Sequence, residues 1–266
     1  MIHFFPSRPV AISIFGLDIH WYGIMYALAL IIGVMLLPTL QKLRGISLSK
    51  KQSNDLVTCV FLGVLLGGRL GYVLLYEASY FMQHPLEIVM VWHGGMSSHG
   101  GIIGVLCALL LFCHYNRLSI LAIADILTVP IAIGLALGRG GNFINGELYG
   151  TLSSQWWAMS FPGVEGLRHP TQLYAVCKDL VIASVCALVL AKTSYGSAVK
   201  RVKPGYVIAI FLILYGIFRS IVEHFREQPF GFIHVGAIPI SWGQLYTVPV
   251  LLAGVGLLAF VRLRRS

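Results

Sequence analysis

The sequence predicts an all-α polytopic membrane protein: seven transmembrane helices, with a small external subdomain between spans four and five. Three observations predict it. Apolar residues make up 57% of the 266 and charged residues only 11%, against about 45–50% and about 25% in soluble domains. Mean hydropathy is +0.82. Seven apolar stretches recur along the chain, and a helix needs roughly 20 apolar residues to cross a ~30 Å hydrocarbon core. A water-soluble chain must cover its outside with polar residues, and too few are present. Disorder, coiled coil and soluble globule are excluded on that ground.

The spans run Tyr22–Leu40, Leu56–Tyr76, Gly101–Tyr115, Ile120–Leu137, Thr171–Ala191, Tyr206–Phe225 and Trp242–Val261. The third is short, and the fourth contains Asp125 and Pro130. The run LEIVMVW, Leu86 to Trp92, is too short to span and reads as interfacial. Residues 1–266 thus form a single integral membrane domain, with 138–170 inserted as the external subdomain. Trp156 and Trp157 within it suit the headgroup region. No internal repeat is visible, which argues against a repeat-built transporter. The N-terminus lacks a basic n-region and a small-residue cleavage site, so no removable signal peptide is expected.

Basic residues set the orientation, because cytoplasmic loops collect Lys and Arg. Twelve fall on one side: Lys42, Arg44, Lys50, Lys51, Arg117, Lys192, Lys200, Arg201, Lys203, Arg262, Arg264 and Arg265. Four fall on the other, Arg8, Arg139, Arg168 and Arg226, while Arg69, Lys178 and Arg219 lie within spans. The N-terminus is expected outside and the C-terminus in the cytoplasm. The formal charge of +9 is not gathered into a basic run or an aromatic-basic stripe, so no nucleic-acid partner is expected. The five cysteines sit in apolar stretches without a CxxC pair, which speaks against disulfides and thiolate metal sites.

Ionisable residues inside a membrane mark a pathway or a site by default. Here they are Arg69, Asp125, Lys178, Asp179, Arg219 and Glu223. Lys178 and Asp179 read as snorkelling or as pairing with a neighbouring helix, and Asp125 as a cap or a partner of Arg69. Arg219 and Glu223 are four apart, hence on one helix face, and Tyr215 and Arg226 extend the stripe. That stripe is either an ion-paired helix end or an anion site, since arginine's planar fork suits phosphate.

The densest constellation is GRGGNFINGELYG, Gly138 to Gly150, read as a glycine-rich loop on the outer side. Arg139 supplies permanent charge, and Asn142, Asn145 and Glu147 supply oriented donors and acceptors. HGGMSSHGG, His93 to Gly101, offers two histidines suited to proton transfer or to ordinary loop hydrogen bonds. They are six apart, without metal-ligand spacing. His20-Trp21-Tyr22 stands at the mouth of span one as a belt anchor or part of a site. His169 and Gln172 of HPTQLY either line a site or cap a helix, and Ser241-Trp242-Gly243-Gln244 opens span seven in a comparable way.

GRGGNFINGELYG resembles the signature of the bacterial prolipoprotein diacylglyceryl transferases, Gly-Arg-x-Gly/Ala-Asn-Phe-x-Asn-x-Glu-x-x-Gly, at every fixed position. HWYGIMY, GGRLGYVLLY, GGMSSHGG, HPTQLY, YGIFRSIVEHFRE and SWGQ follow in the family's order, so the resemblance covers nearly the whole chain. It implies seven spans in the bacterial inner membrane, with the active site toward the periplasmic face. It implies transfer of the diacylglyceryl group from phosphatidylglycerol to the lipobox cysteine of a prolipoprotein signal peptide, the first step of lipoprotein maturation. A thioether forms and glycerol 1-phosphate leaves, without metal or organic cofactor. By position, Arg139 and Arg219 match the arginines that hold the lipid phosphate, and His99 matches the base for the thiol. Tyr22, Asn142, Glu147 and Gly150 match further residues of importance. Asn145, Glu223, Arg226 and His169 are expected to add lipid contacts. Glu147 is expected to orient Arg139 or the lipid's glycerol head. Two positions depart from the family: Ser98 stands where an aromatic is typical, and Ala175 where an acid is common.

Overall fold

The computed structural model describes residues 9–14, 17–91, 94–193, 202–228, 231–235 and 238–263. His93, Arg8, Lys200, Arg201, Arg264 and Arg265 lie outside that set. In chain order the elements are β1 (Val10–Ile14), β2 (Leu17–His20), α1 (Trp21–Arg44), α2 (Lys50–Leu75), α3 (Ala78–Gln83), a 3-10 turn (Pro85–Val89) and α4 (Ser98–Tyr115). There follow α5 (Ile120–Asn145), β3 (Met159–Ser160), β4 (Leu167–Arg168), α6 (Thr171–Lys192), α7 (Tyr206–His224), β5 (Phe232–Val235), β6 (Ile238–Ser241) and α8 (Trp242–Leu263). Six of these helices, α1, α2, α5, α6, α7 and α8, are long and apolar enough to cross a membrane; α4 is a shorter apolar helix. The chain is a multi-pass, mostly helical membrane protein. The helices carry many exposed Leu, Val and Ile side chains, as a lipid-facing surface requires.

Two compact units are distinguished, Ile46–Ile123, and Met1–Gly45 with Ala124–Ser266. Within the first, Ser49 and Gln52 form a capping box at the start of α2, and Ser97 caps α4. Gly63, Gly67 and Gly71 recur once per turn on α2 and meet Gly100 and Gly104 of α4. A Cβ on Gly63 would stand 2.8 Å from the Gly104 carbonyl oxygen. Lipid tails give helices no hydrophobic reason to associate, so close backbone approach through small residues supplies the packing. Arg69 lies buried beside this seam. Its guanidinium donates to the carbonyls of Ile88 (2.9 Å), Gly94 (2.5 Å) and Gly95 (3.1 Å), and also to Glu87. It therefore holds residues 87–88 and 94–95, and does not pair with Asp125.

In the second unit Asp125 is wholly buried and takes Arg44, whose Nε donates at 2.9 Å. Its carboxylate also accepts from the backbone N–H groups of Gly205 (3.0 Å), Val207 (3.1 Å) and Ile208 (3.0 Å) at the start of α7. A carboxylate at a helix N-terminus satisfies orphan donors and complements the dipole. Arg44, counted from sequence among the loop cations, is thus a buried tie between the end of α1, α5 and α7.

Two features differ from the sequence reading. The fourth helix does not stop near Leu137: α5 continues through Pro130 to Asn145. The glycine-rich stretch is therefore helix over 138–145, with Gly141 against the Tyr22 ring, where a Cβ would lie 3.2 Å from Cδ1. Packing outweighs the roughly 1 kcal/mol that a helical glycine costs. The helix ends at Gly146 (φ +71), with Gly146 N–H donating to Phe143 (3.0 Å) and Glu147 N–H to Asn142 (2.9 Å), a Schellman closure. Three two-stranded antiparallel hairpins, β1–β2, β3–β4 and β5–β6, are added to the helices. Their strands are two to five residues long; LDIH and IPIS carry a period-two alternation over four residues each, a signal that a search for apolar spans passes over.

Candidate active site

The chemistry-bearing residues of the larger unit gather where α5, α6 and α7 end or begin. Arg139 of α5, Arg219 of α7 and Arg226, two residues past α7, line one cleft with Leu148, Thr171, Gln172, Ala175 and Val222. The cleft is narrow, with room for about 10 Å³, roughly one water molecule, and part of it is open to the outside. Beneath it lies Glu223, 4% exposed, ion-paired to Arg219 and 3.7 Å from Arg226 Nη1. The stripe read from sequence is thus an ion-paired helix end and also one wall of a cationic cleft. Three guanidiniums stand against this one carboxylate. Lys178 bonds its own neighbour Asp179 instead of another helix, and its ammonium lies 4.5 Å from the Tyr215 ring centroid. Ala175 lines the cleft, so at this departure from the family pattern no carboxylate offsets the arginines.

A second layer adjoins Arg139. Its Nη1 donates to Asn142 Oδ1 (3.4 Å), and Asn142 Nδ2 bonds the Tyr22 hydroxyl. The Tyr22 hydroxyl donates to Glu147 Oε2 (2.9 Å), and Asn145 Nδ2 donates to Glu147 Oε1 (2.9 Å). Glu147 is therefore held by Tyr22 and Asn145, and its link to Arg139, which the sequence reading expects it to orient, runs through Tyr22 and Asn142. The helix closure at Gly146 is what turns Glu147 back toward Tyr22. Gln172 Nε2 donates to the Glu147 carbonyl (2.6 Å) and Thr171 Oγ1 to that of Leu148 (2.8 Å), which ties the loop to the start of α6. The buried oxygens Gln172 Oε1 and Asn145 Oδ1 have no hydrogen-bond partner among the described residues.

Gly150 sits in a backbone junction. Its N–H donates to the His169 carbonyl (2.9 Å), and Thr151 N–H donates to that of Phe225 (3.0 Å). A Cβ at 150 would be 2.8 Å from His169 Cβ and from Thr171 Cγ2. The missing side chain lets the 146–170 loop pass under the end of α7, which places Arg226 at the cleft. Arg168 reinforces this, donating to Glu227 Oε1 (2.8 Å). The His169 ring lies on Phe225 and bonds the Tyr174 hydroxyl through Nδ1 (2.9 Å); burial pushes its pKa below the usual imidazole value.

Of the residues expected at the site, Arg139, Arg219 and Arg226 share the cleft, and Tyr22, Asn142, Asn145 and Glu147 form the adjoining network. Glu223 supports the arginines, and Gly150 and His169 shape the junction. His99 belongs to the Ile46–Ile123 unit, exposed on the first turn of α4. Sequence reasoning passed over Leu148, Thr171, Val222 and Arg168. Their only sequence signal is position: Leu148 lies within the signature, Thr171 within HPTQLY, Arg168 just before it, and Val222 within YGIFRSIVEHFRE.

Half-buried guanidiniums in excess of carboxylate favour an anion, and their forks match the oxygens of a phosphate group. Helices for a bilayer, with such a cleft at their ends, define a membrane-embedded protein built around an anionic group. The family model described as prolipoprotein diacylglyceryl transferase matches residues 9–260. Similar proteins named phosphatidylglycerol–prolipoprotein diacylglyceryl transferase occur in Oleidesulfovibrio alaskensis, 41% identical over 98% of this chain and 95% of that one, and in Bordetella parapertussis, 43% identical over 98% and 97%. A third, from Gluconacetobacter diazotrophicus, is 43% identical over 98% and 92%. The chain belongs to the prolipoprotein diacylglyceryl transferase family.

Proposed function

We propose that this chain transfers the diacylglyceryl group of phosphatidylglycerol to the lipobox cysteine of prolipoproteins. The observation that carries the reading is the cleft of Arg139, Arg219 and Arg226, three cations to one buried carboxylate. The thiol, with a pKa of about 8.5, must lose its proton to attack, and His99 accepts it. Sulfur attacks the glycerol carbon that bears the phosphate ester. A C–S bond forms, the C–O bond breaks, and the oxygen keeps the electron pair as glycerol 1-phosphate departs. Negative charge grows on the phosphate, where Arg139 and Arg219 stabilise it, with Arg226 and Glu223 completing the wall. Tyr22, Asn142, Asn145 and Glu147 orient the glycerol head, and Gln172 Oε1 offers a buried acceptor for one of its hydroxyls. Gly150 and His169 hold the loop that closes this wall.

The shorter α4 is the seventh span, and residues 138–170 supply the external segment, of which 146–170 forms the non-helical subdomain. The chain lies in the inner membrane with its N-terminus outside and C-terminus in the cytoplasm. Lipid and signal peptide both enter sideways from the bilayer. In vesicles of phosphatidylglycerol, the purified chain is expected to add a diacylglyceryl group, the mass of diacylglycerol less one water, to a lipobox peptide and release glycerol phosphate. No transfer there, or equal transfer in vesicles of phosphatidylethanolamine alone, overturns the reading. The base assignment is overturned if His99→Gln keeps the normal rate and pH–rate profile.

A further inference from the structure

Ser241-Trp242-Gly243-Gln244 opens α8 and does not line the cleft. Ser241 N–H donates to Gln244 Oε1 (3.0 Å), and Gln244 N–H donates to Ser241 Oγ (3.1 Å), a reciprocal cap. Gln244 Nε2 also reaches the Ser220 carbonyl of α7 (3.4 Å). These bonds fix the first turn of α8 against the segment of α7 that carries Glu223. Gly243 lies in that turn. A Cβ there would stand 2.9 Å from Glu223 Cγ and overlap its carboxyl group. The Glu223 carboxyl thus fills the space that a side chain at 243 would take. Gln228 flanks it on another side, Nε2 donating to Glu223 Oε1 (3.3 Å) and to its carbonyl (3.0 Å). The remaining direction is toward Arg219 and Arg226.

We propose that Gly243 is a positioning residue for the phosphate-binding arginines: its missing side chain leaves the Glu223 carboxylate room to sit on Arg219 without closing on Arg226. The inference rests on the function proposed above. A methyl group at 243 drives the carboxylate across the 3.7 Å to Arg226, where it competes with the lipid phosphate for that guanidinium's donors. Alanine is the better helix former, so the substitution acts through the carboxylate and not through the helix.

Kinetics in mixed vesicles of varied phosphatidylglycerol content test this. Gly243→Ala is expected to raise KM for the lipid about tenfold, the scale of a weakened charge-assisted hydrogen bond, with kcat changed much less. Adding Glu223→Asp to Gly243→Ala shortens the side chain by one methylene, withdraws the carboxylate and lowers KM again. Gly256→Ala, in the same helix with open space around its Cβ, is expected to match the parent. An unchanged KM in Gly243→Ala, or a double variant no better than the single, overturns the proposal. If Gly243→Ala does not accumulate, Gln228→Ala frees the carboxylate from its other flank and must also raise KM; an unchanged value overturns the proposal. If the parent chain transfers nothing, the function fails, and Gly243 is then judged by binding alone. The reading there is the phosphatidylglycerol concentration that protects each variant from thermal unfolding: a higher one for Gly243→Ala supports the proposal, an equal one overturns it.

Discussion

At the Tyr206 end of α7, a buried carboxylate meets one guanidinium and three backbone N–H groups, and its charge is answered within the protein. Some 13 residues further along, roughly 20 Å at 1.5 Å per residue, Arg219 begins a cluster in which cations outnumber carboxylates. The buried amide oxygens of Asn145 and Gln172 there have no hydrogen-bond partner among the described residues. Both ends take charge out of water, at a cost of several kcal/mol or so per ion before compensation. The first end is compensated on folding and serves the fold. The second is compensated only in part, by Glu223, and on the function proposed above the lipid phosphate completes it. Buried charge therefore marks function only where the account is left open.

Substitution of one arginine at each end separates the two roles most sharply. Arg139→Gln is expected to slow transfer about 10²–10³-fold, as loss of a preorganised donor to developing charge does. Its unfolding temperature in detergent should equal or exceed the parent's, since an excess cation has gone. Arg44→Met should do the reverse. It strands Asp125 as a buried anion and costs about 3–5 kcal/mol of stability, while turnover per folded molecule holds. An Arg139→Gln that unfolds, or a folded Arg44→Met that is inactive, breaks the distinction.

Tyr22→Phe sharpens it on a smaller scale. The hydroxyl joins Glu147 to Asn142 and, through Asn142, to Arg139. Its loss removes bonds to charged or oriented groups, so transfer is expected to fall about ten- to a hundredfold with little change in unfolding temperature. A change within twofold assigns the network to scaffolding.

The helices were legible in the sequence because bilayer thickness imposes a length on every apolar run; each expected stretch coincides with a helix, although α2 starts at Lys50 and not Leu56, α5 runs on from Leu137 to Asn145, and α4 is shorter than the other six. The signature was legible as a cluster, but its backbone was not: glycines read as a loop, whereas Gly141 is a packing residue of a helix that ends only at Gly146. Partners across the fold were illegible for a plainer reason. Nothing in the local sequence shows that Asp125 meets Arg44, 81 residues earlier, in place of Arg69. The α2–α4 seam was written openly as glycines four apart, 63, 67 and 71 facing 100 and 104, a signal that counting charges passes over. Gly243 was equally visible within SWGQ, but its meaning depends on which side chain fills its space.

The smallest effect concerns pH at the loop that closes the cleft. Trp157 Nε1 can only donate, and it donates to the Tyr174 oxygen at 2.6 Å. That leaves the Tyr174 O–H available to donate to His169 Nδ1 (2.9 Å), a bond that suits the neutral imidazole with its proton on Nε2. Burial lowers the His169 pKa in the folded chain, whereas the unfolded chain takes up the proton near the usual value of about 6.5. The folded state binds fewer protons than the unfolded one in this range, so stability falls as pH falls. The contribution is complete above about pH 6.5 and is lost as pH drops through the lowered native value. Unfolding temperature followed in detergent from pH 7.5 to 5 should therefore decline more steeply for the parent than for His169→Gln, whose amide has no proton to take up. Every other titrating group is common to both curves and cancels in their difference. Parallel curves would mean that His169 is not held neutral, and that the junction over Gly150 does not depend on the Trp157–Tyr174–His169 chain.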